Sequence, residues 1–296
     1  MVTDTPLTAA RQLSLGISPC PNDTFIFHAL LHGLSPSDVH VTRLVMADVE
    51  ELNGLAAVGG LDVVKLSVAA VVQASRHYRL LSCGGALGRG CGPLLVAGPG
   101  LEGLGPEAPV PGDLSRLPVR RLALPGGRTT AALLASLAVV PGERVQMRYD
   151  EVMPVVARGE VCAGVVIHEG RFTYRQHGLR LLADFGAWWE GRFGLPLPLG
   201  VIGLGRDLTL ETARCVSRAI RASLEHAWAA PEDGREFVAA HARELSPEVV
   251  AAHIRTFVTP FSLDMGAQGR QAMATLAAEA FRLAGEPMPE DLFWEE

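Results

Sequence analysis

Three short stretches place hydrogen-bonding side chains where an apolar run gives way to a helix. In the first, Ser18-Pro19-Cys20-Pro21 leads into Asn22, Asp23 and Thr24. In the second, Lys65 stands at the end of an apolar run and Ser67 follows it. In the third, Gly126-Gly127-Arg128 leads into Thr129 and Thr130. A helix N-terminus presents free N–H groups and a partial positive charge, so it suits carboxylates and phosphates. Hydroxyls at Ser67, Thr129 and Thr130 add donors, and Lys65 adds a full charge. Any single one of these residues is more often a helix cap than a ligand. Three such junctions in one chain point to a small anionic ligand about as strongly as to three caps.

His168 closes the run Ala163-Gly164-Val165-Val166-Ile167 and so emerges where a buried strand ends. An imidazole there can exchange a proton near neutral pH, which suits general acid/base work. By position alone, a histidine simply hydrogen-bonded at a strand end is the better reading. His28 and His32, four apart on a helix, have a metal-compatible spacing but lack the Glu of H-E-x-x-H, and read as a half-buried helix face. Cys20 precedes a helix start, which can lower a thiol pKa. No partner for a nucleophile is placed by spacing, and a small buried thiol is the default. Gly88-Arg89-Gly90-Cys91-Gly92 is followed by Pro93 and an apolar strand, so it satisfies neither nucleotide-loop pattern and reads as a tight crossing between lobes. Trp188 and Trp189 read as core. His77, His177, His226, His241 and His253 form no pattern.

The elements that must hold these residues alternate as in an α/β protein. Strands are expected at 13–17, 39–46 and 61–66, with helices at 23–32, 49–58 and 68–74. Residues 98–118, rich in Gly and Pro, read as a loop or insertion. A second block has strands at 121–124, 145–149 and 163–167, helices at 129–139 and 152–157, and a crossing near 193–198 into a strand at 199–204. Beyond Leu210 the pattern is helical. Two blocks with two crossings predict lobes facing each other across a cleft. The expected division is 1–97 with 199–296 in one lobe and 98–198 in the other. Ligands in such sheets sit beyond the carboxyl ends of the strands.

The chain has 296 residues, enough for about two domains. With 26 basic and 32 acidic residues the net charge is -6, which argues against nucleic-acid and anionic-membrane partners. Only one of the basic residues, Lys65, is lysine; a position keeping Lys in an Arg-biased chain is a candidate for needing an ammonium. Five cysteines without a C-x-x-C pair disfavour a disulfide framework and a structural zinc site. The opening residues carry no secretory signal pattern, and no apolar run reaches the roughly 18 residues of a membrane helix. A cytoplasmic location is expected.

The stretch from Ser18 to Phe27 resembles the signature of the 1,4-dihydroxy-6-naphthoate synthase family, from the futalosine route to menaquinone. Further similarity lies in Asp48-Val49-Glu50-Glu51-Leu52-Asn53, Lys65-Leu66-Ser67, Gly84 to Gly90, Pro125-Gly126 with Thr129-Thr130-Ala131, and Arg148-Tyr149-Asp150. Ile167-His168-Glu169 with Arg171-Phe172-Thr173-Tyr174, Gly186 to Trp189 and Leu195 to Gly200 complete it. The similarity runs from about Leu13 to Gly200 and more loosely beyond; the stretch 98–118 is longer than the family's. The resemblance implies a two-lobed, periplasmic-binding-protein-like type II fold with a central ligand cleft. It also implies a lyase that converts cyclic dehypoxanthinyl futalosine to 1,4-dihydroxy-6-naphthoate by C–C cleavage. His168 would be its base. Lys65, Leu66, Ser67, Thr130 and Ala131 would lie on its substrate-contact segments, joined by Asn22, Asp23 and Thr129 from the helix starts. The substrate carries a carboxylate; no cofactor and no metal are expected, and a homodimer is the family-level expectation. A cytoplasmic anion-binding protein of the same fold is one alternative. The sister chorismate dehydratase of the same route, expected to lack the Ser18-to-Phe25 opening, is the other.

Overall fold

The chain builds two sheets in turn and closes the first one last. The computed structural model describes residues 11–99, 101, 112–242 and 246–295. It opens with β1 (Arg11–Ile17), α1 (Pro21–Leu31), β2 (Val39–Met46), α2 (Val49–Ala57) and β3 (Val63–Ser67). A 3₁₀ turn at Val68–Ala70 leads into the short α3 (Val71–Ala74), then β4 (Tyr78–Leu80) and β5 (Ala86–Gly88). The chain then crosses to β6 (Leu94–Ala97), β7 (Arg121–Leu124), α4 (Thr130–Ala138), β8 (Glu143–Gln146), α5 (Tyr149–Ala157) and β9 (Ala163–Val166). The single-turn α6 (Gly170–Thr173), β10 (Arg180–Asp184) and α7 (Phe185–Phe193) follow. β11 (Leu197–Gly205) returns to the first sheet, and α8 (Leu210–Ala229), α9 (Arg235–His241), α10 (Pro247–Phe257), α11 (Pro260–Leu263) and α12 (Gly266–Ala284) finish the described chain.

The first sheet has the order β2-β1-β3-β11-β4, with β5 pairing β11; the second has the order β10-β6-β9-β7-β8. β1 runs parallel to β2 and β3, whereas β11 runs antiparallel to β3. In the second sheet β7 is parallel to β8 and β9, and β6 is antiparallel to β9 and β10. All five residues of β3 are buried, as expected for a strand covered on both faces. One apolar cluster joins the sheets, running from Leu52, Val64 and Leu66 to Leu95, Leu122, Leu134 and Trp189. No described helix is long and apolar enough to cross a membrane.

Two sequence expectations change. The glycine-rich stretch ending at Gly92 does lie between the sheets, so Leu94–Ala97, expected at the end of the first lobe, pairs in the second sheet. The strand expected at 145–149 ends at Gln146, and Tyr149 opens α5. Most of the expected insertion at 98–118 lies outside the described residues; what is described includes a 3₁₀ turn at Leu114–Arg116, capped by Asp113.

Candidate active site

Between the carboxyl ends of β1, β3 and β9 and the start of α4 lies a cleft partly open to solvent, with about 690 Å³ of space when its open mouth is included. Side chains alternate along a strand, so Lys65 and Ser67 reach the cavity from β3 while Leu66 between them turns into the core. Gly200 on β11 makes room for the lysine: a Cβ there would stand 2.9 Å from Lys65 Cε. Lys65 is 4% exposed, and its charge is met inside the protein. Its Nζ donates to Asp23 Oδ1 at 2.6 Å and to the Gly84 carbonyl at 3.3 Å.

The start of α1 is organised around that ion pair. Asp23 Oδ2 accepts from the Ser18 amide at 3.0 Å and the Ser18 hydroxyl at 2.8 Å, and Asn22 Nδ2 donates to Oδ1 at 3.1 Å. Cys20 Sγ donates to Asn22 Oδ1 at 2.7 Å. Burial, followed by the Asp23 charge, pushes the Cys20 thiol up to about 12. Burial does the same to Cys91 on another wall, so neither thiol is poised as a nucleophile.

At the start of α4, Thr129 is the cap: its hydroxyl accepts from the Ala132 amide at 3.1 Å. The amides of Thr130 and Ala131 are first-turn donors with no partner inside the helix. The Thr130 hydroxyl ties the second sheet to the first, donating to the Leu199 carbonyl at 2.5 Å and accepting from the Val68 amide at 3.0 Å. Asn53 of α2 adds a second tie, with Nδ2 donating to the Arg128 carbonyl at 3.2 Å and to Ser67 Oγ at 3.1 Å. The Arg128 amide and guanidinium donate to the Glu50 carboxylate at 2.9 and 3.3 Å.

His168 lies two residues beyond β9 with φ of 53°, the one non-glycine residue at positive φ among those described. Such backbone is disfavoured for a histidine and persists where the surroundings enforce it, most often at functional sites. The Tyr149 ring packs edge-on against it, with centroids 4.9 Å apart. From the first-sheet side, His253 of α10 faces His168 with ring centroids 6.0 Å apart. His253 is 1% exposed and its Nδ1 has no hydrogen-bond partner. Burial, reinforced by neighbouring His168, holds its pKa at about 3, so its ring is neutral. Arg171 completes the wall with its donors engaged, Nη1 to the Gly92 carbonyl and Nη2 to Asp184, both at 2.6 Å.

Residues 13–282 match a family described as menaquinone biosynthesis. The chain belongs to that family. It is 49% identical, over 95% of its length and 98% of the relative, to a 1,4-dihydroxy-6-naphthoate synthase of Thermus thermophilus. It is 42% identical, over 92% of its length and 94% of the relative, to one of Streptomyces coelicolor. A solved structure of an Archaeoglobus fulgidus protein superposes with a TM-score of 0.81 at 31% identity, covering 93% of this chain and 98% of that one. The periplasmic aliphatic sulphonate binding protein of Escherichia coli superposes with a TM-score of 0.65 at 13% identity, covering 96% and 92%. The fold is therefore the two-lobed, periplasmic-binding-protein-like one.

On this menaquinone-biosynthesis fold, the cavity gathers Asn22, Asp23, Lys65, Ser67, Thr129, Thr130, Ala131 and His168. Leu66 is the exception: its side chain is fully buried in the apolar cluster. His253, which forms no pattern in the sequence, also lines the cavity, together with Phe257 and Arg171. Arg171 and Asn53 both lie in stretches that carry the family resemblance. For His253 the sequence held no signal, because it is a single helical histidine that only the packing of α10 brings to the site. His28 and His32 stack with centroids 4.4 Å apart. No described group of three or more His, Cys, Asp or Glu could hold a metal ion.

Proposed function

We propose that this chain converts cyclic dehypoxanthinyl futalosine to 1,4-dihydroxy-6-naphthoate by C–C cleavage in this cavity, with His168 taking a proton from the substrate. The observation that carries the assignment of the base is the strained backbone of His168 at the cavity wall, with Tyr149 fixing its ring. A substrate carboxylate is suited to the Thr130 and Ala131 amides and to the Ser67 hydroxyl. The Ser67 oxygen already accepts from Asn53 and keeps a proton to donate. The Lys65 ammonium is already paired with the Asp23 carboxylate, which weakens its positive potential in the cavity and leaves the amides as the main anion donors. Ties between the sheets at Thr130, Asn53 and Arg128 support a reaction that runs with the lobes closed and water excluded. The five free cysteines support a reducing compartment.

The test is turnover of cyclic dehypoxanthinyl futalosine, followed by the absorbance of the naphthoate product, with chorismate as the control substrate. His168→Asn is the informative variant, because Asn tolerates positive φ and leaves the backbone in place. It is expected to lose about 100-fold or more in kcat. Near wild-type turnover by this variant would remove His168 as the base, and an inactive wild-type chain would remove the reaction.

A further inference from the structure

Buried side-chain atoms without a hydrogen-bond partner among the described residues include Ser35 Oγ, His253 Nδ1 and Trp294 Nε1. Of these residues only His253 lines the cavity. A neutral imidazole carries one N–H donor and one acceptor nitrogen, and a buried polar atom left unpaired costs about 1–3 kcal/mol. A hydrogen-bonding atom is thus held buried and unmatched beside the proposed base.

Its position is fixed from two sides. The ring lies against Phe257 with centroids 4.7 Å apart in an edge-on arrangement, and Phe172 of the opposite lobe stands 6.5 Å away. The 6.0 Å between the His253 and His168 centroids comes without a hydrogen bond between the rings, so the two do not satisfy each other. Held neutral, His253 cannot serve as the counter-ion of a carboxylate. Its one donor and one acceptor nitrogen match a hydroxyl or carbonyl oxygen, while the α4 amides suit the carboxylate. His253 stands on α10, which packs on α1 and β5, whereas His168 follows β9. The two imidazoles thus reach the cavity from different sheets.

We propose that His253 is a substrate-binding residue whose neutral imidazole hydrogen-bonds an uncharged hydroxyl or carbonyl oxygen of the substrate, next to the atom from which His168 takes the proton. The proposal rests on the assignment of the reaction and of His168 made above. It gives α10 a part in recognition: this helix supplies the contact that senses the uncharged part of the ligand, while the α4 amides take the carboxylate.

Four variants test it. His253→Phe keeps an aromatic ring of similar outline and removes both nitrogens; it is expected to lower kcat/KM about tenfold or more. The same variant is expected to unfold in urea at a midpoint no lower than wild type, since it deletes an unpaired buried atom. His253→Gln, which restores a donor and an acceptor, is expected to recover part of the loss. Binding without chemistry is then read by titrating cyclic dehypoxanthinyl futalosine into His168→Asn and into His168→Asn/His253→Phe, the second expected to bind at least about fivefold more weakly. If wild type turns the substrate over while His253→Phe keeps kcat/KM within about twofold, or the two titrations agree, the role of His253 falls and the reaction stands. If activity falls only in step with the unfolding midpoint and Gln restores nothing, His253 is structural. A wild-type chain that neither binds nor turns over the substrate takes the reaction and this contact down together.

Discussion

Lys65 sits in a strand whose other side chains are apolar or small, and its charge is matched by one carboxylate 2.6 Å away. Both partners are almost wholly buried, so neither can be removed without stranding the other. Losing one member of a buried pair generally costs about 3–5 kcal/mol. Lys65→Met is therefore expected to lower stability by that amount in urea unfolding. Lys65→Met/Asp23→Asn is expected to lose clearly less than the two single variants added together. Simple additivity would show that the two charges are not coupled. The structure sharpens the meaning of the lone lysine: Gly200 leaves the space that its side chain passes through. Lys65→Arg keeps the charge but changes the shape and donor geometry at that place.

The elements that meet at the site are the most legible part of the sequence. β3 and β9 read as short buried runs, and the capping chemistry of Thr129 marks the start of α4, because both signals are local and periodic. The same locality explains the misses. β6 looks no different as the last strand of one sheet or the first of another, since sheet membership is decided by partners distant in sequence. Leu66 shares a motif with Lys65 and Ser67, yet alternation sends it into the core. His253 lies in a helix whose pattern carries only packing information, and its chemistry arises from what α10 is laid against. Thr130 shows how much an element start can carry. Thr130→Val would strip the Leu199 carbonyl and the Val68 amide of a partner at once, and is expected to cost about 1–3 kcal/mol in urea unfolding. Thr129→Ala removes the cap on Ala132 and the local bond to the Gly126 carbonyl, both within one turn, and about 1 kcal/mol is expected. A smaller loss in Thr130→Val than in Thr129→Ala would show that the tie between the sheets contributes little.

At the scale of the molecule, two sheets share one apolar cluster, and polar ties close the cleft above it. Packing His253 into that closure sets how the whole fold responds to acid. Its pKa is about 3 in the folded chain against an ordinary 6.5, so above pH 6.5 the ring is neutral whether the chain is folded or not. Between about 6.5 and about 3 the unfolded chain binds the proton and the folded chain does not, so stability rises with pH across that window and is lost as pH falls. His28, held below its ordinary value first by burial and then by His32, acts in the same direction. Lowering the pH from 6.5 to 5 is expected to remove about 2 kcal/mol through His253 alone, about 1.4 kcal/mol for each pH unit. Urea unfolding of wild type and His253→Phe at pH 7 and pH 5 measures this directly. The wild type should lose about 2 kcal/mol more than the variant over that interval. Equal losses in the two proteins would mean that His253 takes up its proton in the folded state and that the cavity wall around it is open to water.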